Sequence, residues 1–355
     1  MRPARGVTVT LARQVAYRVL SRTFEDGAFT DRAFVAEAAR ERLDGRELAQ
    51  ARRLAYGATQ RRGTSDHLVE RLAGRPVADL DPPARAAIRL AVYELLFSAS
   101  VPDHAAVDQA VELAKAGMRR DGAPAGRARA AAGLVNAVLR RAAREREQLI
   151  GGLDDSTPEG AAIAHSYPSW LASRWWQELG PADARTLMEA MNEPAEAAFR
   201  VNRLRADPDR VAIELRAAGA EVDGPGSGAL LEPADGLVVG AATDPVRARI
   251  ATGELVPQSR GSQAVVALLD PRPGQRVLDL CAGPGIKTTQ IAARLGDRGE
   301  VVSLELDERR AEQVRELCAR TGASCVRVEV GDAAEADLGS GYDRILLDPP
   351  CSDLG

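Results

Sequence analysis

Residues Val277 to Thr288 read Val-Leu-Asp-Leu-Cys-Ala-Gly-Pro-Gly-Ile-Lys-Thr, and this stretch decides the fold of the C-terminal part of the chain. The apolar run from Arg276 to Leu280 predicts a buried parallel strand. The turn Gly283-Pro-Gly285 ends that strand, and the apolar spacing from Lys287 to Leu295 predicts a helix. Because glycines let the backbone approach a ligand and the helix N-terminus presents its amides, we expect a cofactor loop here.

Three types of cofactor loop follow a strand with a glycine turn, and the residues distinguish them. A phosphate-binding P-loop requires Gly directly before its Lys-Ser/Thr pair, whereas Ile286 precedes Lys287 here. The dinucleotide fingerprint requires a third glycine, and Thr288 stands in its place. What remains is an acidic strand end, Asp279, before a turn of small residues, which suits a zwitterionic nucleoside cofactor such as S-adenosylmethionine.

Four strands predicted in this region each end in an acidic residue. The strands are Arg276 to Leu280, Glu300 to Leu304, Cys325 to Val330 and Arg344 to Leu347, and their acids are, in the same order, Asp279, Glu305, Asp332 and Asp348. A single acid at a strand end is more often a helix cap or a solvated turn. Four in series favour a shared binding edge, where Glu305 is placed to accept hydrogen bonds from both ribose hydroxyls.

These motifs resemble those of the RNA cytosine-C5 methyltransferases. Asp279-Leu-Cys-Ala-Gly-Pro-Gly-Ile-Lys-Thr288 is similar to their cofactor motif, Asp-x-Cys-Ala-Ala-Pro-Gly-Gly-Lys-Thr, and Asp348-Pro-Pro-Cys-Ser352 resembles their Asp-Ala-Pro-Cys-Ser motif. Gly283, Ile286 and Pro349 depart from the usual Ala, Gly and Ala. The resemblance covers essentially the whole chain and, with the helical N-terminal region, indicates the bacterial small-subunit ribosomal RNA methyltransferase branch of the Sun or Fmu type.

The resemblance assigns roles to the motif residues. S-adenosylmethionine is the expected cofactor, and the residues expected to bind it are Cys281, Ala282, Gly283, Pro284, Gly285, Ile286, Lys287, Glu305, Asp332 and Asp348. The family methylates C5 of cytosine after a cysteine thiolate adds to C6. Its nucleophile lies in a Thr-Cys motif after a fifth strand, and the cysteine matching Cys351 assists product release.

The sequence ends at Gly355, before any Thr-Cys motif. A chain ending just after the fourth strand leaves an unpaired strand edge and an uncovered apolar face. We therefore expect only the N-terminal part of a Rossmann-like α/β methyltransferase domain. We also expect residues 1–355 alone to be inactive and prone to aggregation.

The N-terminal part of the chain is predicted to be all helical. Amphipathic segments read at Thr8 to Phe24, Ala33 to Leu43, Glu47 to Arg62, Ser65 to Leu72, Pro82 to Phe97, Asp103 to Ala116 and Ala125 to Ala143, with Asp103 as a helix cap. The segment Gly133 to Arg141 resembles the closing helix of the NusB-like RNA-binding domain. Glu147 to Gly160 reads as a polar linker, and Phe199-Arg-Val-Asn202 resembles the Arg-x-Asn strand before the family's catalytic domain.

The segments and the resemblance together predict three domains. Residues 1–148 are expected to form a NusB-like helical RNA-binding domain, and residues 149–256 a linker and a small α/β connecting domain. Residues 257–355 are expected to belong to an S-adenosylmethionine-dependent methyltransferase domain, of which they are the N-terminal part. Trp170, Trp175 and Trp176 are expected in a core more than on a surface that stacks on bases, and His165 is expected to be structural.

Charge is distributed unevenly along the chain. A net charge of −4 excludes an indiscriminate polyanion binder. Residues 1–148 nevertheless carry 26 Lys+Arg and 18 Asp+Glu, an excess of 8 positive charges, whereas the rest has an excess of 12 negative charges. This asymmetry predicts a nucleic-acid contact on the N-terminal part, and the resemblance identifies it as small-subunit (16S) ribosomal RNA.

Composition limits the compartment and the cofactors. A hydrophobic content of 45% supports globular cores, and no apolar run is long enough for secretion or for spanning a bilayer. The cysteines, which are Cys281, Cys318, Cys325 and Cys351, show neither metal-ligand spacing nor the density of a disulfide framework. We expect a cytoplasmic monomer with no metal and no membrane contact.

Two other functions remain open. In DNA cytosine-C5 methyltransferases the Pro-Pro-Cys cysteine is the nucleophile, and Pro349-Pro350-Cys351 also fits that class. Lys287 in the loop and the helical N-terminal domain favour the RNA family instead. The second alternative is a non-catalytic RNA-binding module, which has no need for Glu305 and Asp332, so binding of a methyl donor discriminates it.

Overall fold

A computed structural model describes residues 8–98, 102–240 and 243–350 of the chain. The chain divides into two compact units, an N-terminal unit, Met1–Glu193, and a C-terminal unit, Pro194–Gly355. None of the helices in these described ranges combines the length and the hydrophobicity that a membrane-spanning segment requires. Cys351, which is expected to assist product release, lies outside the described residues.

All secondary-structure elements described in the N-terminal unit are helices. Its helices are α1 (Leu11–Glu25), α2 (Thr30–Ala38), α3 (Gly45–Gln60), α4 (Arg62–Ala73), α5 (Pro82–Phe97), α6 (Asp103–Arg120), α7 (Ala125–Arg144), α8 (Arg146–Gly151), α9 (Pro158–His165), α10 (Ser169–Leu179) and α11 (Pro181–Ala190), with one 3-10 turn at Val77–Asp79. The seven predicted helices correspond to α1 to α7, so the all-helical prediction is confirmed. Their apolar stripes meet in one core, which also buries an ion pair in which Arg13 donates to Glu94 at 2.6 and 3.0 Å.

The predicted linker, Glu147 to Gly160, is partly wrong because two helices enter it. Leu149 of α8 is buried against the helical core, which draws this segment into the fold. Thr157 caps α9 by accepting the N–H of Gly160, and Pro158 begins the helix. The predicted cap Asp103 is also wrong, since Pro102 holds the N-cap position and Asp103 lies in the first turn.

The aromatic and histidine side chains of α9 and α10 lie in different environments. Trp175 and Trp176 pack against a small core formed by α9, α10 and α11, as expected. Trp170 differs from the expectation, because 58% of it is exposed. His165 lies 3.4 Å from Asp155, consistent with the structural role expected for it.

The first part of the C-terminal unit is an antiparallel sheet with two helices. Its strands are β1 (Ala198–Val201), β2 (Val222–Asp223), β3 (Gly236–Val239) and β4 (Leu255–Pro257), in the order β2-β3-β1-β4, and its helices are α12 (Pro208–Ala217) and α13 (Asp244–Ala251). Phe199, Leu215 and Leu237 lie in its core. The predicted small α/β connector is confirmed.

The second part of the C-terminal unit is a parallel sheet of Rossmann-like type. Its strands are β5 (Arg276–Leu280), β6 (Glu300–Glu305), β7 (Val326–Val330) and β8 (Arg344–Leu347), and its helices are α14 (Arg260–Leu269), α15 (Ile286–Leu295) and α16 (Glu308–Thr321). The order is β7-β6-β5-β8, with every pair parallel. From β5 the successive strands β6 and β7 are added on one side of the sheet, and the next strand, β8, is added on the other side of β5. The order in which strands are added therefore switches sides between β5 and β8. Open α/β sheets bind ligands beside such a switch point, at the carboxyl ends of the strands.

Strand β8 forms one edge of this sheet within the described residues. It pairs with β5, and its alternate side chains Ile345 and Leu347 are largely exposed. Leu268 of the neighbouring helix α14 is exposed as well. The described part of the chain thus has the exposed apolar face that the sequence predicts beside its fourth strand.

Candidate active site

One cleft of about 730 Å³ lies at the carboxyl ends of the parallel strands. Nine of the ten residues expected to bind a cofactor line it: Cys281, Ala282, Gly283, Pro284, Ile286, Lys287, Glu305, Asp332 and Asp348. The tenth, Gly285, is not among the lining residues. The strand-end acid Asp279 also lines the cleft, so the four acids predicted to share one edge do so.

The loop after β5 has a conformation that requires glycine at its last position. Gly285 is the N-cap of α15 with a φ of +95°. A Cβ added there would lie 3.1 Å from the Cα of Val314 in α16, tighter than most real Cβ contacts. Cys281, at the other end of the loop, has a φ of +60°, an uncommon conformation for a residue with a side chain. The loop is thus packed closely on α16 and held in a strained turn.

Glu305 and Arg310 hold the loop from the side of β6. One carboxylate oxygen of Glu305 accepts the N–H of Gly283 at 2.7 Å, and the other accepts the N–H of Asp307 at 3.3 Å. Arg310 donates to the carbonyl oxygen of Gly283 at 2.8 Å, and its Nε lies 4.0 Å from Glu305. A Cβ at Gly283 would lie 2.4 Å from the Glu305 carboxylate, so glycine at this position permits the close approach.

Asp279 is a buried acid below the loop. Only 1% of it is exposed, and it accepts a hydrogen bond from the hydroxyl of Thr288 at 2.6 Å. Burial raises the pKa of Asp279 to about 6, because the charged form loses its hydration. The Thr288 bond and the Lys287 ammonium act in the opposite direction, and the nearby Asp348 carboxylate reinforces the increase.

Lys287 and Asp348 form an ion pair where the paired strands β5 and β8 end at the cleft. The Lys287 ammonium donates to Asp348 Oδ2, and the lysine is mostly buried whereas the aspartate is half exposed. This pair brings together the loop after β5 and the residue that follows β8. It places a donor and an acceptor side by side at the opposite end of the cleft from Asp332.

The described cysteines are poorly suited to form thiolates. Burial raises the pKa of Cys281, and the Glu305, Asp279 and Asp348 carboxylates raise it further. Burial raises the pKa of both Cys318 and Cys325 to about 12. Cys318 lies in the core of the parallel sheet, and the partly buried Cys325 packs against that core.

Sequence reasoning missed one wall of the cleft. Pro257, Gln258, Ser259 and Ser262, which lead into and begin α14, line it together with Arg310. The position of Arg310 in the first turn of the helix after β6 was the only local signal for that residue.

The lining residues fit a cationic nucleoside. Five carboxylates (Asp279, Glu305, Asp307, Asp332 and Asp348) and two cations (Lys287 and Arg310) surround the cleft, so the local charge favours a positive ligand. Each Glu305 oxygen accepts one N–H and therefore keeps a lone pair for a ligand hydroxyl. The donors and acceptors present match a ribose and a positively charged tail.

The parallel sheet, the glycine turn and the acidic cleft define a Rossmann-like domain. Family models match three parts of the chain: the NusB family over residues 10–144, the ferredoxin-like domain of the RsmF/B-like methyltransferases over residues 167–230, and the 16S rRNA methyltransferase RsmB/F family over residues 266–355. The crystal structure of PH0851 matches 98% of this chain and 76% of its own with a TM-score of 0.67 and 22% sequence identity, which supports the fold.

Relatives whose sequences align with most of the chain identify the family. The probable ribosomal RNA small subunit methyltransferase B of Synechocystis sp. is 30% identical over 97% of this chain and 75% of its own length. The probable enzyme of the same name from Bacillus subtilis is 28% identical over 98% and 74%, and the Escherichia coli enzyme is 30% identical over 89% and 69%. The chain belongs to the ribosomal RNA small subunit methyltransferase B family.

Proposed function

We propose that this protein uses S-adenosylmethionine to methylate C5 of a cytosine in small-subunit ribosomal RNA. The observation that carries the proposal is the acidic cleft at the carboxyl ends of β5, β6, β7 and β8 in a chain of this family. The cofactor, when bound, supplies a methyl group attached to a positively charged sulfur. A cleft with more carboxylates than cations favours such a ligand over a nucleotide phosphate.

Glu305 is the residue assigned to the ribose. Its carboxylate is fixed by the N–H groups of Gly283 and Asp307, so it is already oriented before a ligand arrives. A preoriented acceptor binds hydroxyls at a lower entropic cost than a mobile one. Asp332, at the end of the adjacent strand β7, and the loop from Cys281 to Lys287 enclose the rest of the cofactor.

Lys287 and Asp348 are expected from the sequence to bind the cofactor, and we propose that their ion pair contacts the target base as well. It lies on the β8 side of β5, whereas Glu305 and Asp332 lie on the β6 and β7 side. A base taken out of its stack is read by hydrogen bonds to its polar edge. The ammonium donors of Lys287 and the carboxylate of Asp348 supply both kinds of partner, so they can orient a cytosine with C5 toward the methyl donor.

The chemistry at C5 requires a cysteine adduct at C6. Cytosine C5 is a weak nucleophile until a thiolate adds to C6, and a base must then remove the C5 proton to release the enzyme. The raised pKa values of Cys281, Cys318 and Cys325 argue against these thiols as the nucleophile, and residues 1–355 contain no Thr-Cys motif, so the proposal assigns the attack on C6 to none of these cysteines. Cys351 follows the cleft residues Pro349 and Pro350, and we assign it to product release.

The RNA contact is assigned to the N-terminal unit. Among the described residues, Arg129, Arg140 and Arg144 are exposed on α7 and form no ion pair. Their spacing of 11 and 4 positions puts them on one face of the helix. Such a row of guanidinium groups suits a phosphodiester backbone. With ribosomal RNA as the substrate, the proposal places the protein in the cytoplasm, acting as a monomer.

The decisive experiment for the cytosine chemistry is nucleoside analysis of ribosomal RNA. A chromosomal Glu305→Ala substitution would be compared with Glu300→Ala, which removes an acid at the opposite end of the same strand, away from the cleft. Mass spectrometry of small-subunit ribosomal RNA should show that one 5-methylcytidine is lost in the Glu305 variant. The Glu300 control should keep the same 5-methylcytidine content as the wild type. Loss of a different methylated nucleoside would contradict C5 as the target atom.

A further inference from the structure

Arg200 is a buried cation that the proposed chemistry does not use. It lies on β1, is fully buried, and forms no ion pair among the described residues. Its Nε donates to Gln258 Oε1 at 2.8 Å, and its Nη2 donates to the hydroxyl oxygen of Thr289 at 3.1 Å. Burial lowers the pKa of Arg200 to about 10, with Asp235 acting against the decrease, so the side chain is still a cation at neutral pH.

The two acceptors of Arg200 lie in different segments of the chain, of which one lines the cleft and the other bonds to the cofactor loop. Gln258 lines the cleft, and its Nε2 donates to Gln290 at 2.5 Å and to Ser262 at 3.4 Å. Thr289 lies in the first turn of α15, and its hydroxyl also donates to the carbonyl oxygen of Gly285 in the cofactor loop at 3.0 Å. One guanidinium group therefore ties the wall before α14 to the helix that follows the loop.

We propose that Arg200 is a positioning residue that sets the spacing between the Gln258 wall and the cofactor loop, and thereby the affinity for S-adenosylmethionine. This inference rests on the proposed function, because it names a residue that serves the same cleft. A guanidinium is suited to the role because its donors point in fixed, divergent directions. Arg200 orients two uncharged acceptors, so this arrangement places no carboxylate partner for the guanidinium group beside the cleft.

Asn202 is a matched control on the same strand segment. It is fully buried as well, and it donates to the carbonyl oxygens of Gly253 at 3.0 Å and Thr321 at 2.7 Å. Neither of these partners lines the cleft. Asn202 and Arg200 thus each hold two acceptors in the core of the C-terminal unit, but only Arg200 holds a residue that lines the cleft, Gln258, and a residue bonded to the cofactor loop, Thr289.

The test compares Arg200→Met and Asn202→Leu in the full chain by two readouts. Calorimetric titration with S-adenosylmethionine gives the dissociation constant, and thermal unfolding without ligand gives the midpoint. Both variants lose buried donors, so both should unfold at a lower temperature. Arg200→Met should raise the dissociation constant about 10-fold, the equivalent of one lost charge-assisted hydrogen bond. Asn202→Leu should change it by less than about 2-fold.

The outcomes separate positioning from stability. If both variants bind S-adenosylmethionine equally weakly, in step with their unfolding midpoints, Arg200 is only structural and the inference is overturned. Unchanged binding by Arg200→Met overturns it as well. Arg200→Lys serves if the Met variant does not fold: it retains the charge but not the two divergent donors, so wild-type affinity in this variant would also overturn the inference. A wild-type chain that does not bind the cofactor refutes the proposed function instead.

Discussion

Asp279→Asn should make the C-terminal unit more stable at neutral pH. In the folded chain, burial raises the pKa of Asp279 to about 6 from an ordinary value of 3.8. Between these values the folded state binds a proton that the unfolded state has already released, so stability falls as the pH rises from about 4 to above 6. A difference of about 2 between the two pKa values corresponds to about 3 kcal/mol, which the wild-type protein loses by pH 7.

An asparagine at position 279 has no such titration and resembles the protonated aspartic acid in shape. The Thr288 hydroxyl can still donate to its amide oxygen, as it does to Asp279 at 2.6 Å. The variant should therefore match the wild-type stability near pH 4 and exceed it at pH 7 by up to about 3 kcal/mol.

The assay is urea unfolding across this pH range, followed by two probes. Trp170, Trp175 and Trp176 are the tryptophans of the chain and all lie in the N-terminal unit, so tryptophan fluorescence reports that unit. Far-UV circular dichroism reports both units, and the difference between the probes isolates the C-terminal transition. Fluorescence midpoints should be the same in wild type and variant at every pH. If the free energy of unfolding of the C-terminal unit fell by the same amount in wild type and variant between pH 4 and 7, the reasoning about Asp279 would be refuted.

Three further substitutions test other parts of the structure. Gly285→Ala forces a side chain into a φ of +95° and should lower the stability of the C-terminal unit by about 1–3 kcal/mol, measured by circular dichroism in urea. Glu94→Leu leaves Arg13 buried without its carboxylate and should cost the N-terminal unit about 3–5 kcal/mol by tryptophan fluorescence. Combined Arg129→Ala and Arg144→Ala should reduce the slope of log affinity for single-stranded ribosomal RNA against log salt by about 1.4, as expected for two phosphate contacts. An unchanged salt slope would place the RNA elsewhere.

Local patterns predicted the parallel sheet well because each element has its own signal. Strand β5 begins and ends at the predicted residues, since an apolar run bounded by a glycine turn has few alternative structures. Strand-end acids could be located for the same reason: the carboxyl ends of parallel strands share one edge whatever the side-chain details. The fold class and the loop and strand-end part of the cleft lining therefore follow from the sequence, whereas the wall that leads into α14 does not.

The contacts inside the site could not be predicted, because they join distant positions. Arg200 meets Gln258 and Thr289 across 58 and 89 residues, and no local spacing encodes such a pair. Glu305 was expected to face ribose hydroxyls, and the structure shows it also holding the loop amide of Gly283. The partly helical linker was missed for a similar reason, since Leu149 is drawn into a core formed by other helices.

Titration of the full chain with S-adenosylmethionine tests the central claim, that the acidic cleft is a methyl-donor site. Wild-type protein and the Glu300→Ala variant should bind one equivalent with the same affinity, because Glu300 lies at the far end of β6 and pairs with Arg276. Glu305→Ala should bind at least about 10-fold more weakly, having lost a charged acceptor for the ribose. Equal binding by the Glu305 and Glu300 variants, or no binding by the wild-type chain, would contradict this assignment of the cleft.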